Sequence, residues 1–404
     1  MEVNNILLLT PVYPATDVHK STTPVVHYFT REWVKFGYHV LVIHYPVNFP
    51  LWFYKVIAPF KESISSRVGS EVRTWPVTEK DYELEGVKVK RFPMSKTKPH
   101  GRYSKSQIQK AVENTICYCE TVDFNPDVII SHWANPSLEI MHHLKFHYNV
   151  PTCYVAHDAG HDLKTIFKKE AEQYIKETDV IGYRSGAIKR AFEVYFNCTD
   201  KPNFLCSSGI PESCLTDKEK KLVSVKYFIF VGTLIQRKYP AQIVPAVKIA
   251  FGSDEFSITY VGDGEETAQV KKNAAELGIE ERIHLLGRIP RKEVVERLEQ
   301  SDVFVMISRG ETFGLVYLEA MARGLITIAA RDEGFDGIIV DGENGFLCEA
   351  GNVEELTSII RKLHRMDSSE LNRISSNAIA TARNLTDVKA ARYYLDNVLS
   401  TFNG

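Results

Sequence analysis

The sequence predicts an α/β protein with two domains, each built on a doubly wound, mostly parallel β-sheet. Strand-like runs alternate with helical patterns along the chain, as expected for sheets with helices on both faces. The run 226–231 is a continuous apolar strand of the kind found in sheets that are covered on both sides. With 404 residues, the chain is long enough for two hydrophobic cores of ordinary size.

The N-terminal half opens with a strand–helix–strand unit. Residues 5–10 are the first predicted strand, and a helix begins near Pro24 and directs Phe29 and Trp33 inward. The next strand covers 40–43, which completes the first repeat of a doubly wound sheet. Further short strands are predicted at 127–131, 152–156 and 180–183.

Two histidines directly follow predicted strands in this half. His132 comes after 127–131, and His157 comes after 152–156. The carboxyl ends of parallel strands form the ligand edge of such a sheet, which favours a cleft position for both side chains. The alternative for each is an interior histidine that is hydrogen-bonded to the backbone.

Two other stretches of this half are suited to a membrane surface. Residues 49–54 are rich in aromatic side chains and are followed by apolar residues and by Lys55 and Lys61. Between 88 and 110 there are eight lysines or arginines and no aspartate or glutamate. We therefore predict peripheral contact with an anionic membrane or with a lipid-linked acceptor. The alternatives are a packing loop for the aromatic residues and an ordinary solvated face for the charges.

Composition narrows the class of protein. A net charge of -2, with 44% hydrophobic and 25% charged residues, is typical of a globular protein and gives no indication of nucleic-acid binding. The seven cysteines include no CxxC pair, which argues against a disulfide framework and a zinc site. No apolar run is long enough to span a bilayer, and no export signal is evident. We expect a cytoplasmic protein, with any membrane contact at the cytoplasmic face.

The C-terminal half repeats the alternation of strands and helices around its central segment, 302–324. In this segment a buried strand, a tight loop and the start of a helix follow one another, with Glu311 in the loop and Glu319 two helical turns later. Free N–H groups of a first helical turn and two carboxylates could hold a diphosphate and sugar hydroxyls. The alternative is an ordinary acidic first turn plus a solvated glutamate. The other predicted elements are strands at 257–261, 283–286 and 327–330 and amphipathic helices at 353–364 and 388–402.

Several motifs in this half resemble glycosyltransferase family 4, whose members are retaining enzymes of the GT-B fold. The resemblance rests on Glu311 and Glu319 with seven residues between them, and on the sequence EAMARG that begins at Glu319. It continues through DGENGFL at 341–347, GDG at 262–264, and Lys238. The order of these motifs is that of the family.

The resemblance implies two Rossmann-like domains that face each other across a cleft. Residues 1–205 would form an N-terminal acceptor-binding domain, 206–224 a linker, and 225–387 a nucleotide-sugar-binding domain. The last segment, 388–404, would be a helix that packs back on the first domain.

The resemblance also implies a set of site residues. Those with catalytic roles would lie around the diphosphate and the donor sugar: Glu311, Lys238, Arg237 and His157. Those that bind the donor would be Glu319, Phe313, Gly314, Leu315, Thr233, Gly262 and Arg288. Those of the acceptor side or cleft would be His132 and Lys20.

Two positions depart from the family pattern. Thr233 stands where the family has an arginine that contacts the diphosphate, and Arg237 is instead found beside Lys238. The loop around Lys20 lacks the usual Gly-Gly pair, so that Lys20 or a neighbouring hydroxyl would take over its phosphate contact.

The activity implied is transfer of a hexose, with retention of configuration, from a UDP- or GDP-sugar to a hydroxyl of a glycan or lipid-linked acceptor. Surface polysaccharide or glycolipid biosynthesis is the expected setting. No metal and no separate cofactor are implied. The alternatives are a GT-B epimerase of nucleotide sugars and a catalytically silent module that binds a sugar nucleotide or glycan.

Overall fold

Parallel β-sheets organise both halves of the chain. The computed structural model describes residues 3–15, 17, 24–68, 72–98, 101–216 and 220–402. Among these residues, one eight-stranded sheet lies in the N-terminal domain and one six-stranded sheet in the C-terminal domain. The predicted α/β class with two Rossmann-like domains is confirmed.

The N-terminal sheet has the strand order β10-β9-β8-β7-β1-β2-β5-β4, and only β4 is antiparallel to its neighbour. Two very short strands, β3 and β6, pair separately. The strands are β1 (Asn5–Thr10), β2 (His39–His44), β3 (Val47–Asn48), β4 (Lys80–Leu84), β5 (Val87–Arg91), β6 (Met94–Ser95), β7 (Val128–His132), β8 (Thr152–Ala156), β9 (Val180–Tyr183) and β10 (Asn203–Leu205).

Helices cover both faces of this sheet because its central strands are apolar on both sides. β1 alternates Leu7 and Leu9 into one core with Ile6 and Leu8 into the other. The helices are α1 (Val25–Lys35), α2 (Leu51–Ile57), α3 (Lys61–Val68), α4 (Lys105–Thr121), α5 (Ser137–Tyr148), α6 (His161–Phe167), α7 (Glu170–Glu177) and α8 (Gly186–Phe196).

The C-terminal sheet is parallel throughout, in the order β13-β12-β11-β14-β15-β16. The chain reverses its winding between β11 and β14, which pair with each other, so the loops after these two strands lie side by side. The strands are β11 (Tyr227–Val231), β12 (Ser257–Val261), β13 (Ile283–Leu285), β14 (Val303–Met306), β15 (Ile326–Ala330) and β16 (Phe346–Cys348). The helices are α9 (Pro240–Phe251), α10 (Thr267–Glu276), α11 (Arg291–Glu299), α12 (Leu315–Met321), α13 (Val353–Arg365), α14 (Ser368–Arg383) and α15 (Asp387–Ser400).

The last helix, α15, belongs to the core of the N-terminal domain. Tyr394 packs edge-on against Phe29 and Trp33 of α1, with ring centroids 5.1 and 5.0 Å away. The Trp33 indole N–H donates a 3.0 Å hydrogen bond to the carbonyl of Ala391. The chain therefore passes between the domains twice, and the two passages touch where Ile210 bridges Thr386.

Part of the positive charge of the basic stretch between 88 and 110 is offset by nearby carboxylates in the structure. Three of its eight cations form ion pairs with carboxylates from other parts of the chain, and Arg91 is completely buried. These ion pairs reduce the positive charge that the stretch can present to a partner, and its contact with an anionic membrane stays a prediction. The pairs join Lys90 to Glu79 and Asp81, Arg91 to Asp17, and Arg102 to Glu139 and Glu170.

The aromatic stretch forms α2 and the 3₁₀ turn Ala58–Phe60 that follows it. Four of its large apolar side chains, those of Leu51, Trp52, Val56 and Phe60, are between 58% and 66% exposed. No helix within the described ranges combines the length and the apolar composition needed to cross a bilayer.

Candidate active site

A cavity of about 1320 Å³ lies between the two domains. Its walls come from the carboxyl ends of strands in both sheets, which is where open α/β sheets bind ligands. The N-terminal domain contributes Trp133, His157 and Arg184, and the C-terminal domain contributes Lys238, Arg291, Glu311, Phe313 and Glu319.

Glu311 lies in the loop between β14 and α12. Its Oε2 atom is 3.6 Å from the Lys238 Nζ atom and 3.8 Å from an Arg237 guanidinium nitrogen. No hydrogen-bond donor in the described part of the chain reaches this buried oxygen. The side chains of Glu311 and Lys238 are each 15% exposed. The site thus holds a carboxylate with an open acceptor position next to two cations.

The position of the two cations follows from the topology of the sheet. Lys238 and Arg237 lie in the 3₁₀ turn Gln236–Lys238 after β11, beside the loop that follows β14. The N–H of Arg309 donates a 2.7 Å hydrogen bond to the Arg237 carbonyl, which ties the two loops together. Lys238 Nζ also lies 3.8 Å from the sulfur of Met306, the last residue of β14. The ammonium is therefore fixed over the end of the strand.

Glu319 projects from α12 into the cavity wall and is only 5% exposed. It forms an ion pair with Arg291, the first residue of α11. Burial raises the pKa of Glu319 above its usual 4.5, and the guanidinium of Arg291 opposes that rise. Sequence reasoning missed Arg291, although its place shortly after the carboxyl end of β13 could have identified it.

The segment between the two glutamates lines the cavity with Phe313, Gly314 and Leu315. Gly314 has φ +84°, and a Cβ there would lie 2.6 Å from the ring of Tyr317. The backbone conformation at the start of α12 therefore requires glycine at this position, whether or not a ligand also approaches it. Phe313 is nearly buried and carries the Arg184 guanidinium 5.4 Å from its ring centroid.

On the N-terminal side, His157 lines the cavity and stacks on Trp133, with a centroid distance of 3.8 Å and an angle of 15°. A 3.0 Å hydrogen bond joins His157 Nε2 to His132 Nδ1, and Tyr394 lies 3.2 Å from His132 Nε2. Burial is the main cause that holds the pKa of both histidines well below 6.5, and Arg184 adds to it. Both rings are therefore neutral at physiological pH.

His132 itself does not reach the cavity. It is completely buried behind His157, so the predicted cleft position is wrong for this residue. The reason is that His132 is still part of β7, where its side chain packs against Phe29 of α1 and Tyr394 of α15, and the next residue turns outward. Trp133, with φ +57°, takes the cavity position instead.

Three predicted donor-binding residues lie outside the cavity lining: Thr233, Gly262 and Arg288. Arg288 is exposed on the surface. A Cβ at Gly262 would collide with the backbone of Gly232, so the close contact between these two loops by itself requires the glycine. Lys20 and the loop around it lie outside the described residues.

Arg184 is a second residue that sequence reasoning missed. It directly follows β9, is 2% exposed and lines the cavity. Its guanidinium donates hydrogen bonds to the carbonyl of Cys206 and the hydroxyl of Ser208, in the first passage between the domains. It thus links the cavity wall to the hinge.

The sequence of the C-terminal domain matches a known family. Residues 215–381 match the model described as "Glycosyl transferases group 1". The N-acetyl-alpha-D-glucosaminyl L-malate synthase of Bacillus anthracis is 34% identical over 129 residues, which are 32% of this chain and 33% of that protein. The D-inositol 3-phosphate glycosyltransferase of Corynebacterium glutamicum is 30% identical over 165 residues, 39% of each chain. The matches thus cover only a third or slightly more of these relatives.

Solved structures match the fold over nearly the whole chain. The sucrose-phosphate synthase of Thermosynechococcus elongatus has a TM-score of 0.68 at 16% identity, covering 99% of both chains. The Anabaena protein HepE, in complex with UDP, has a TM-score of 0.68 at 18% identity, covering 98% of this chain and 100% of that one. The chain therefore has the GT-B fold, and the segment 215–381 is similar to the glycosyl transferases group 1 family.

Proposed function

We propose that the protein is a retaining glycosyltransferase that moves a sugar from a nucleotide diphosphate to an acceptor hydroxyl. One observation carries the proposal: two cations, Lys238 and Arg237, flank the carboxylate of Glu311 inside the cavity between the domains. Cations suit a diphosphate, and a carboxylate with an open oxygen suits sugar hydroxyls. The cavity, at about 1320 Å³, is larger than a typical pocket for one small ligand and has room for donor and acceptor together.

In this proposal Lys238 and Arg237 bind the diphosphate, and Glu311 accepts hydrogen bonds from the donor sugar. Glu319 accepts hydrogen bonds from the ribose. The backbone N–H groups around Gly314 face the phosphates. The C–O bond between the anomeric carbon and the diphosphate breaks, so negative charge grows on the phosphate oxygens while positive charge grows on the sugar. The cations stabilise the former, and this is the main contribution of the protein to the rate.

The acceptor hydroxyl enters on the face that the diphosphate leaves. Its oxygen forms the new bond to the anomeric carbon, and its proton passes to a phosphate oxygen of the leaving group. Retention of configuration follows, and no protein nucleophile takes part. His157, neutral and stacked on Trp133, would contact the donor sugar or the acceptor by hydrogen bonding. The two domains enclose the reacting atoms and exclude water, which would otherwise compete as acceptor.

The relatives support this proposal. The B. anthracis enzyme is named as a synthase of N-acetyl-alpha-D-glucosaminyl L-malate, and the HepE structure contains UDP. We therefore propose UDP-sugars as the first donors to test and GDP-sugars as the second. A hydroxyl of a glycan or a lipid-linked saccharide in polysaccharide or glycolipid synthesis is the proposed acceptor.

Incubation with radiolabelled UDP- and GDP-sugars and a membrane lipid extract tests the reaction. Transfer predicts label in the lipid or glycan fraction, and NMR of the product then reports the anomeric configuration. A changed sugar on the nucleotide would indicate an epimerase, and binding without turnover would indicate a silent module. Either result would refute the proposed transfer. Glu311→Gln is the matched variant, because it keeps the shape of the side chain and removes its charge.

We also propose that the surface of α2 contacts the membrane that presents a lipid-linked acceptor. The support is the group of exposed apolar side chains that includes Trp52 and Phe60, with Lys55 beside them. Replacing Trp52 by glutamate should weaken sedimentation with anionic vesicles. A matched exchange at the exposed Tyr393, on the distant helix α15, should have no effect. Equal sedimentation of the wild-type protein and the Trp52 variant would refute the contact.

A further inference from the structure

We infer that Tyr394 and His132 are positioning residues for the cavity histidine, because they fix His157 in the tautomer whose Nδ1 atom carries the proton and faces the cavity. His157 then acts on the substrate as a hydrogen-bond donor. The inference deepens the proposed function and rests on it for the substrate, whereas the tautomer can be measured without any substrate. It gives a role to two buried residues, one of which lies on the last helix of the chain.

Three polar side chains form a series of hydrogen bonds that leads from α15 to the cavity. The Tyr394 hydroxyl lies 3.2 Å from His132 Nε2, and His132 Nδ1 lies 3.0 Å from His157 Nε2. Tyr394 and His132 are both completely buried. Within the described ranges His157 Nδ1 has no hydrogen-bond partner, and it is not among the enclosed polar atoms that lack one. It is therefore the nitrogen left to face the cavity that His157 lines.

Burial fixes the number of protons in this series. It raises the pKa of Tyr394 well above 10, so the hydroxyl keeps its proton, and it leaves both histidines neutral. A neutral imidazole has one N–H group and one nitrogen that accepts a hydrogen bond. A single proton therefore lies between His132 and His157, and the direction of the first hydrogen bond determines the direction of the second.

The acceptors within reach of the Tyr394 hydroxyl set that first direction. The Cys153 thiol also lies within hydrogen-bonding reach of this hydroxyl, but a thiol sulfur is a weak acceptor, whereas an imidazole nitrogen is a good one. The hydroxyl therefore donates to His132 Nε2. The proton of His132 must then be on Nδ1, from which it is donated to His157 Nε2. The proton of His157 must in turn be on Nδ1.

Aromatic packing fixes the direction in which this N–H group points. The His157 ring is stacked on Trp133, and the His132 ring is flanked by Phe29 and Tyr394, with centroids 6.4 and 6.0 Å away. His157 thus presents a donor of fixed direction, which suits a substrate oxygen that offers a lone pair. In this tautomer Nδ1 cannot accept the proton of the acceptor hydroxyl, in agreement with the proposed transfer of that proton to the leaving diphosphate.

NMR spectra of the full chain labelled with ¹⁵N-histidine report the tautomer directly, because protonated and bare ring nitrogens resonate in separate regions. Couplings to the ring C–H groups distinguish Nδ1 from Nε2, and the signals absent from His157→Asn identify His157. For the wild-type protein we expect a protonated Nδ1 and a bare Nε2. Tyr394→Phe keeps the ring and removes only the hydroxyl, so the two tautomers should mix and both nitrogen signals should move toward each other.

Initial rates at saturating donor and acceptor measure the consequence for transfer. We expect Tyr394→Phe to lower kcat about two- to tenfold, the usual contribution of one hydrogen bond, and to leave the affinity for the free nucleotide unchanged. Tyr45→Phe is the matched control, because Tyr45 is also fully buried in the N-terminal domain and its hydroxyl contacts Thr115. It should change neither the His157 signals nor kcat. Thermal melting checks that both variants are folded.

The outcomes separate the inference from the function on which it rests. A wild-type His157 that is protonated at Nε2, or a tautomer that is the same in Tyr394→Phe as in the wild-type protein, overturns the inference. A mixed tautomer in Tyr394→Phe with an unchanged kcat overturns the donor role of His157. A wild-type protein that transfers no sugar refutes the proposed function, and the spectra still decide whether Tyr394 sets the tautomer.

Discussion

Replacing Lys238 by methionine isolates the contribution of one cation to the proposed transfer. Methionine has nearly the same length and fits beside Met306, so the packing at the end of β14 is kept while the charge is lost. The Lys238 ammonium makes no hydrogen bond to an oxygen among its described contacts; its partners are the Glu311 carboxylate at 3.6 Å and the Met306 sulfur. We therefore expect the fold to survive the exchange.

The size of the effect follows from the geometry. Two unit charges 3.6 Å apart interact by about 5 kcal/mol at an effective dielectric constant near 20. A phosphate oxygen at a similar distance from Lys238 is attracted to it both before and during the reaction. Only the increase in this attraction, as negative charge grows on the oxygen while the bond to the sugar breaks, lowers the barrier. Removal of a group that stabilises growing negative charge typically lowers kcat by about 100- to 1000-fold, or about 3–4 kcal/mol. We expect a loss in this range.

Initial rates with a saturating donor give kcat, and calorimetry with the free nucleoside diphosphate gives the ground-state affinity. The larger effect should fall on kcat. Lys248→Met is the control, because Lys248 lies on the adjacent helix α9 and its ammonium contacts only the carbonyl of Gly252 among the described residues. A kcat for Lys238→Met within threefold of that of Lys248→Met would refute the assignment.

Three further predictions concern the pKa of Glu319, the histidine pair and the last helix. Since burial raises the pKa of Glu319 above 4.5, nucleotide affinity should fall with decreasing pH before an ordinary glutamate would protonate, and Glu319→Gln should remove this step while the titration of the nucleotide itself remains. Because the pKa of His157 is held well below 6.5, the pH–rate profiles of the wild-type protein and His157→Asn should have the same shape between pH 6 and 8; a step present only in the wild-type protein would contradict this lowered pKa. Tyr394→Ala should lower the free energy of unfolding by about 3–5 kcal/mol in denaturant titrations, since it removes a fully buried ring between α1 and α15. The exposed Tyr393 on the same helix should tolerate alanine.

The fold could be predicted from sequence because its signals are local. Short apolar runs such as 226–231 predict strands without reference to the rest of the chain. Motifs that occur in the order of a known family then predict how the strands and helices are arranged. The packing of α15 on the first domain needed the family resemblance, because an amphipathic helix does not specify which surface covers it. The ion pairs of the stretch 88–110 could not be predicted for a related reason. The carboxylates that pair with three of its cations come from other parts of the chain, such as Asp17 and Glu170.

The candidate site could be predicted in part. Glu311, Glu319 and Lys238 were found because their spacing is itself a motif, and the structure brings all three into one cavity. Arg291 and Arg184 were not found, because each matters through a contact that exists only after folding. A general rule could have indicated both, since each lies after the carboxyl end of a parallel strand.

The two glutamates of the cavity share a feature that bears on the stability of the site. Each has a cation from a neighbouring segment: Lys238, in the turn after β11, for Glu311, and Arg291, at the start of α11, for Glu319. A carboxylate placed alone in so enclosed a wall would tend to take up a proton, and a protonated acid is a poor acceptor for sugar hydroxyls. At Glu319, where burial raises the pKa, the guanidinium of Arg291 opposes this rise and so favours the ionised carboxylate before the donor arrives. In the proposed complex the same cations then contact the ligand, so the charges that stabilise the glutamates also bind the substrate. Substituting either cation should therefore affect its glutamate as well as the ligand, and the effects of Lys238→Met and Glu311→Gln on nucleotide-sugar affinity should be less than additive.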